Sequence, residues 1–358
     1  MWPYWFFLFI PIAYLACNAT TDKTQKNSKL WNLKWKIMFL ITIFFIGFRH
    51  ENGVDWYTYI YIFDVNKLLP LKEALLISDA GYDLINWISS KFDLDIHIIN
   101  LSCAFLFVWG LFVFCRAQSR PWLALTVAVP YLLIVVGMNY TRQSVAIGFI
   151  MLALLAILEK KQLKFIAYIT AASLFHKTAL IFLILFFISW NNLYKFRTIL
   201  FLGLTFTAIY FLLEKTIGSL IGSYINTQYN SSGAGVRIFM IVVPAFLFLI
   251  TRNLLNLDKY EIKIWTAVSI GALALFPFLY FSPSSTAVDR MGLYFIPLQI
   301  FYYSRLPSIN FISQKNRQVI TFLIIIYSAL ILYVWMCFAI NSYAWKPYKF
   351  YPWVLLWD

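Results

Sequence analysis

Seven cationic or imidazole side chains interrupt an otherwise apolar sequence, and five of them recur in the same setting. Arg49 and His50 close the run IMFLITIFFIGF, Arg142 lies in MNYTRQSVAIGF, and His176-Lys177 divide LKFIAYITAASLF from TALIFLILFFISW. Arg237 follows the loop NSSGAG, and Arg290 follows Asp289 in SPSSTAVDRMGLYF. A guanidinium at the end of an apolar helix can snorkel to lipid headgroups. Five separate pieces of chain that each bring a cation to a span end suit a second task, and the start of a helix at Arg142 favours an anion there. Asp55 and His176 are the groups suited to moving a proton or positioning a hydroxyl. Trp56, Tyr57, Tyr61 and Tyr294 are aromatic side chains close to these groups in the sequence, and anchoring at the membrane interface is one use for them.

The elements that must position these groups follow from composition. The chain has 358 residues, of which 62% are hydrophobic and 12% charged, with a mean hydropathy of +0.74. A water-soluble domain is nearer one quarter charged. Apolar runs at about 2–17, 35–48, 97–116, 121–138, 141–158, 163–190, 197–213, 236–251, 262–281, 288–304 and 318–340 are of helical length and lack the alternation of barrel strands. The reading is an all-α polytopic membrane protein of about 11–12 transmembrane or re-entrant helices. It forms a single domain over 1–358, with an external insertion at 49–96 that carries short amphipathic helices. No internal repeat of the kind that builds secondary transporters is visible.

The net charge of +14 suggests cytoplasmic loops rich in Lys and Arg, not nucleic-acid binding. Lys23, Lys26, Lys29, Lys34 and Lys36 place the first loop in the cytoplasm and the N-terminus outside. Segment 163–190 decides the rest. As one helix it would put Lys195, Arg197 and every later basic loop outside. Broken at His176-Lys177 it becomes two arms of about 20 Å each, short for a hydrocarbon core of about 30 Å. The broken form puts all the later basic loops inside and gathers Arg49, Arg142, Lys177, Arg237 and Arg290 on the external face, so it is preferred.

Cys17, Cys103, Cys115 and Cys337 show no CxxC spacing and read as small apolar residues. HExxH and GxSxG motifs are missing, Gly233 and Gly235 lack the strand and lysine of a nucleotide loop, and no metal or cofactor is expected.

Five segments in order resemble the EpsG family of exopolysaccharide polymerases, which is related to the Wzy-type polymerases. They are FRHENGVDWYTYIYIF (48–63), AGYDLINWIS (80–89), MNYTRQSVAIGF (138–149), FHKTALI (175–181) and DRMGLYF (289–295). The resemblance covers most of the chain. It implies an enzyme of the bacterial cytoplasmic (inner) membrane that joins oligosaccharide repeat units carried on polyprenyl diphosphate, at the external face, with lipid diphosphate as leaving group. The product would be O-antigen, capsule or exopolysaccharide. Partners implied are the lipid-linked oligosaccharides, the bilayer and a chain-length regulator. On this reading Arg49, Arg142 and Arg290 hold diphosphates, with Lys177 and Arg237 in support. Asp55, His176 and Arg142 serve the chemistry, and Trp56, Tyr57, Tyr61 and Tyr294 are candidates to contact the sugars, with Trp56, Tyr57 and Tyr61 able to stack on sugar faces. A lipid-linked oligosaccharide flippase and a glycan-modifying membrane acyltransferase are the alternatives.

Overall fold

The computed structural model describes residues 1–17, 31–189, 231–282, 284–309 and 312–357. The expected span 197–213 lies outside the described residues, as do Lys195 and Arg197. Helices α1 (Trp2–Cys17) and α2 (Leu33–Gly47) lead to a two-residue strand β1 (Arg49–His50). The insertion holds α3 (Trp56–Leu68), α4 (Leu71–Ala74) and α5 (Ala80–Lys91). Then come α6 (Ile96–Arg116), α7 (Pro121–Ala128), a π-helical stretch Val129–Val136 and α8 (Gly137–Asn139). These are followed by α9 (Thr141–Leu158), α10 (Gln162–Phe175), a 3-10 turn Lys177–Leu183 and α11 (Ile184–Ser189). After the second described break are α12 (Ala234–Thr251), α13 (Lys259–Phe281), α14 (Ser285–Gly292), α15 (Ile296–Arg305) and α16 (Gln314–Phe338). The chain ends with β2 (Lys349–Phe350) and α17 (Tyr351–Trp357). Among the described residues, six helical stretches are long and apolar enough to cross a membrane: Ile96–Arg116, Pro121–Asn139, Thr141–Leu158, Ala234–Thr251, Lys259–Phe281 and Gln314–Phe338. The architecture is that of an all-α polytopic membrane protein.

The centre of the bundle is α6, the Pro121–Asn139 stretch and α9. Pro121–Asn139 is buried along its whole length. A Cβ on Gly110 of α6 would lie 2.2 Å from the Gly148 carbonyl oxygen of α9, so these helices meet backbone to backbone. Pro130 cannot donate to the helical ladder, and the chain responds with π turns through Val136. Trp345 Nε1 donates to the Ile134 carbonyl there at 3.0 Å and ties the C-terminal region to the centre.

Over its described residues, 163–189, the expected segment 163–190 is two arms. His176 adopts an extended backbone (φ −160°, ψ 109°) between α10 and the 3-10 turn. Both arms run between the same two ends of the bundle. The turn lies beside Tyr294, whereas at the other end Tyr260 of α13 donates to the Ile157 carbonyl (2.9 Å) and α11 packs on α13. Arg305 with Gln118, and Ser119 Oγ with the Ser304 carbonyl (3.0 Å), mark that same far end. Arg49, Arg142, His176, Arg237 and Arg290 all lie at the near end.

Candidate active site

The near end is built where helices start and stop. β1 pairs antiparallel with β2, Arg49 opposite Phe350 and His50 opposite Lys349. Glu51 takes φ +49° and its carboxylate pairs with Lys349. Gly53 takes φ +101°, and a Cβ there would lie 2.8 Å from the Met138 carbonyl oxygen. Only glycine makes this turn at this distance. The turn brings the Asp55 backbone N–H onto Asn139 Oδ1 at 3.0 Å, which sets the start of α3 against the junction of α8 and α9.

Three arginine–aspartate pairs ring that junction. Arg142 Nη1, in the first turn of α9, meets Asp79 Oδ2 at 2.8 Å, with both side chains mostly buried. Arg237 grips Asp289 through two bonds, Nε to Oδ1 at 2.7 Å and Nη2 to Oδ2 at 2.9 Å, and Ser231 joins the pair. Arg290 Nη2 stands 3.9 Å from Asp55 Oδ2, a charge contact without hydrogen-bond geometry. The Arg290 guanidinium lies over the Tyr140 ring at 4.0 Å. Neighbouring positions on α14 therefore serve different partners, as the ~100° step between successive helical side chains requires.

The carboxylates differ in how firmly they are held. Asp79 and Asp289 accept strong hydrogen bonds from arginine. Asp55 accepts none from the described residues and keeps 29% of its side chain exposed. Burial raises the Asp55 pKa, and the positive charges of Arg290 and Arg142 counter part of that rise. Asp79 is raised by burial too, opposed by Arg142 and Lys177. Both carboxyls are thus moved toward neutral pH.

His176 occupies the break between the arms. Its Nδ1 lies 2.7 Å from both Thr178 Oγ1 and the Tyr294 hydroxyl, which are 2.9 Å from each other. Arg142, Arg290 and Lys177 all act on this ring electrostatically. Arg142, Arg290, Lys177, His176, Asp55 and Asp79 therefore form one electrostatic cluster. The sequence marked five of these for chemistry and passed over Asp79. The signal for it was its place just before α5, where Gly81 lets that helix close on α10: a Cβ on Gly81 would lie 3.0 Å from the Leu174 carbonyl oxygen.

Other residues expected in the site stand elsewhere. Arg49 is 1% exposed and donates to the Ile46 carbonyl at 2.8 Å, Asn100 Oδ1 at 3.0 Å and Thr141 Oγ1 at 2.7 Å. It staples α2, α6 and α9 from a buried position, so it does not face a diphosphate. The expectation failed because an arginine ending an apolar run can turn inward when neighbouring helices supply oxygen acceptors. Arg237 is occupied by Asp289. Trp56 is buried against His50 and His97, and Tyr294 is buried beside His176, so neither presents a face to a sugar. Tyr57 and Tyr61, one turn apart on α3, are each 68% exposed and do present one.

A family model matches this sequence over residues 32–350, that of the EpsG family. The chain belongs to the EpsG family. Members of the EpsG family are Wzy-type polysaccharide polymerases, so a role in glycan polymerisation, with lipid-linked sugars as substrates in a membrane, follows for this chain. No curated protein and no solved structure matches it.

Proposed function

We propose that this EpsG-family protein polymerises polyprenyl-diphosphate-linked oligosaccharide repeat units at the external face of the bacterial cytoplasmic membrane. The near end of the bundle is the external end in this reading, which sets the basic far end against the cytoplasm. The observation that carries it is the clustering of Arg142, Arg290, Lys177 and His176 with Asp55 and Asp79, drawn from five separate pieces of chain.

The acceptor hydroxyl oxygen bonds to the anomeric carbon of the donor chain, and the bond from that carbon to the diphosphate oxygen breaks. The electron pair leaves with the diphosphate, whose growing charge Arg142 and Arg290 stabilise without a metal. The acceptor proton passes to Asp55, the carboxylate whose oxygens accept no hydrogen bond from the described residues. Asp79 holds Arg142 in place until the diphosphate arrives. Tyr57 and Tyr61 offer stacking surfaces to the sugars. Arg237 lines the same end as a brace between α12 and α14.

Surface glycan from a deletion strain tests the proposal. Deletion should leave single-repeat products, and complementation with Arg142→Ala should fail to restore long chains. Intact long chains in the deletion strain would refute polymerisation, and lipid-linked units trapped on the inner leaflet would favour a flippase.

A further inference from the structure

The proton count around His176 fixes which nitrogen carries the hydrogen. Nδ1, Thr178 Oγ1 and the Tyr294 oxygen form a triangle with edges of 2.7, 2.7 and 2.9 Å. A neutral ring with a bare Nδ1 leaves two protons, one on each hydroxyl. Tyr294 then donates to Nδ1 and Thr178 donates to Tyr294, so every proton has an acceptor. A ring protonated at Nδ1 brings three protons to the triangle, and Nδ1 can no longer accept. One buried hydroxyl proton would then lack a partner among the described residues, at a cost that native interiors avoid. Gln143 supports the first arrangement. Its Nε2 donates to the Arg290 carbonyl at 2.7 Å, and its Oε1 takes no proton from the Tyr294 hydroxyl. Among the described residues no group hydrogen-bonds His176 Nε2, and the half-buried ring belongs to the same electrostatic cluster as Arg142, Arg290 and Lys177.

We infer that His176 acts as a neutral Nε2–H hydrogen-bond donor to the departing diphosphate, held in that tautomer by the positioning residues Tyr294 and Thr178, and not as the base. The inference rests on the polymerase reading. His176 shares the anion with Arg142 and Arg290, and the acceptor proton is left to Asp55. Because no proton leaves Nε2 during the step, any side chain that places an N–H donor at that point can replace the ring.

The test is a set of variants in purified protein supplied with lipid-linked repeat units, with lipid diphosphate release as readout. His176→Ala should lose at least 100-fold in kcat. His176→Gln, whose amide reaches the Nε2 position but cannot take up a proton near neutral pH, should retain activity within about tenfold of the native protein and keep the native pH profile. Tyr294→Phe should lower kcat roughly tenfold with KM unchanged, and should cost nothing further in the His176→Gln background. His176→Gln as inactive as His176→Ala, in protein of native oligomeric profile, would overturn the inference. Nitrogen-15 spectra of the native protein give a readout independent of the variants' folding: a protonated Nε2 with bare Nδ1 at His176 is expected, and a protonated Nδ1 overturns it. Native protein that releases no lipid diphosphate would instead overturn the polymerase reading, whatever the spectra show.

Discussion

Removing Arg142 should damage the protein in two ways that can be measured apart. Arg142 Nη1 and Asp79 Oδ2 are 2.8 Å apart, and their side chains are 29% and 10% exposed. Deleting one partner of a buried pair costs about 3–5 kcal/mol, mostly because the remaining charge is left without compensation. Some water reaches Arg142, so Arg142→Ala should fall near the lower limit, ~3 kcal/mol. Replacing Asp79 by Asn in the same chain removes that stranded charge, and Arg142→Ala/Asp79→Asn should recover most of the stability. Turnover should not recover. Loss of one preplaced donor to a developing anion costs about 100- to 1,000-fold in kcat, or ~3–4 kcal/mol of transition-state stabilisation. Thermal unfolding of protein in lipid nanodiscs gives the first quantity, and polymer ladders from lipid-linked repeat units give the second. A double variant that regains stability and polymerises within about threefold of the native rate would refute the placement of Arg142 on the diphosphate.

Asp55→Asn should lower kcat by at least about 100-fold. A base works as the carboxylate, and burial raises the Asp55 pKa, so native activity should fall with decreasing pH above the range of an ordinary aspartate. Arg290 lowers that pKa, so in pH–rate profiles Arg290→Ala should move the acid limb to higher pH, and an unmoved limb would remove Asp55 as the base. Arg49→Gln should unfold the protein at lower temperature, by about 2–4 kcal/mol, because three buried oxygen partners lose a charged donor; kcat per folded molecule should stay within about threefold of native. Gly53→Ala must accept φ +101° and a 2.8 Å approach to the Met138 carbonyl, so it should cost about 1–3 kcal/mol in denaturation and lower turnover by shifting Asp55.

Much of the architecture was legible because each span is apolar along its own length, and its ends are marked by charge, proline or glycine. The expected spans 97–116, 121–138 and 141–158 match Ile96–Arg116, Pro121–Asn139 and Thr141–Leu158 within two residues at each end. The break at His176-Lys177 was legible from charge balance, which reports on the whole chain at once. Partners were harder to read. Asp79 is 63 residues from Arg142, and nothing local in SDAGYD indicates which cation it meets. Arg49 and Arg142 look alike in sequence, each ending or opening an apolar helix. They diverge because Asn100 and Thr141 face Arg49 with neutral oxygens, while α5 brings a carboxylate to Arg142. The β1–β2 pairing joins residues about 300 positions apart and is too short to leave a strand pattern. Nor did the sequence reveal that Asp95, His97 and His50 form a chain of contacts at 3.0 Å each, a feature made by the docking of the α6 start against β1.

The central claim is that this cluster breaks a sugar–diphosphate bond to lengthen a glycan. Purified protein in nanodiscs, given a defined lipid-linked repeat unit, tests it directly. The expected result is one lipid diphosphate released for each repeat added to the product, with both signals lost together in Asp55→Asn and in Arg142→Ala/Asp79→Asn. Chain growth that persists in these variants at near-native rate, or translocation of the lipid-linked unit with no diphosphate released, would contradict it.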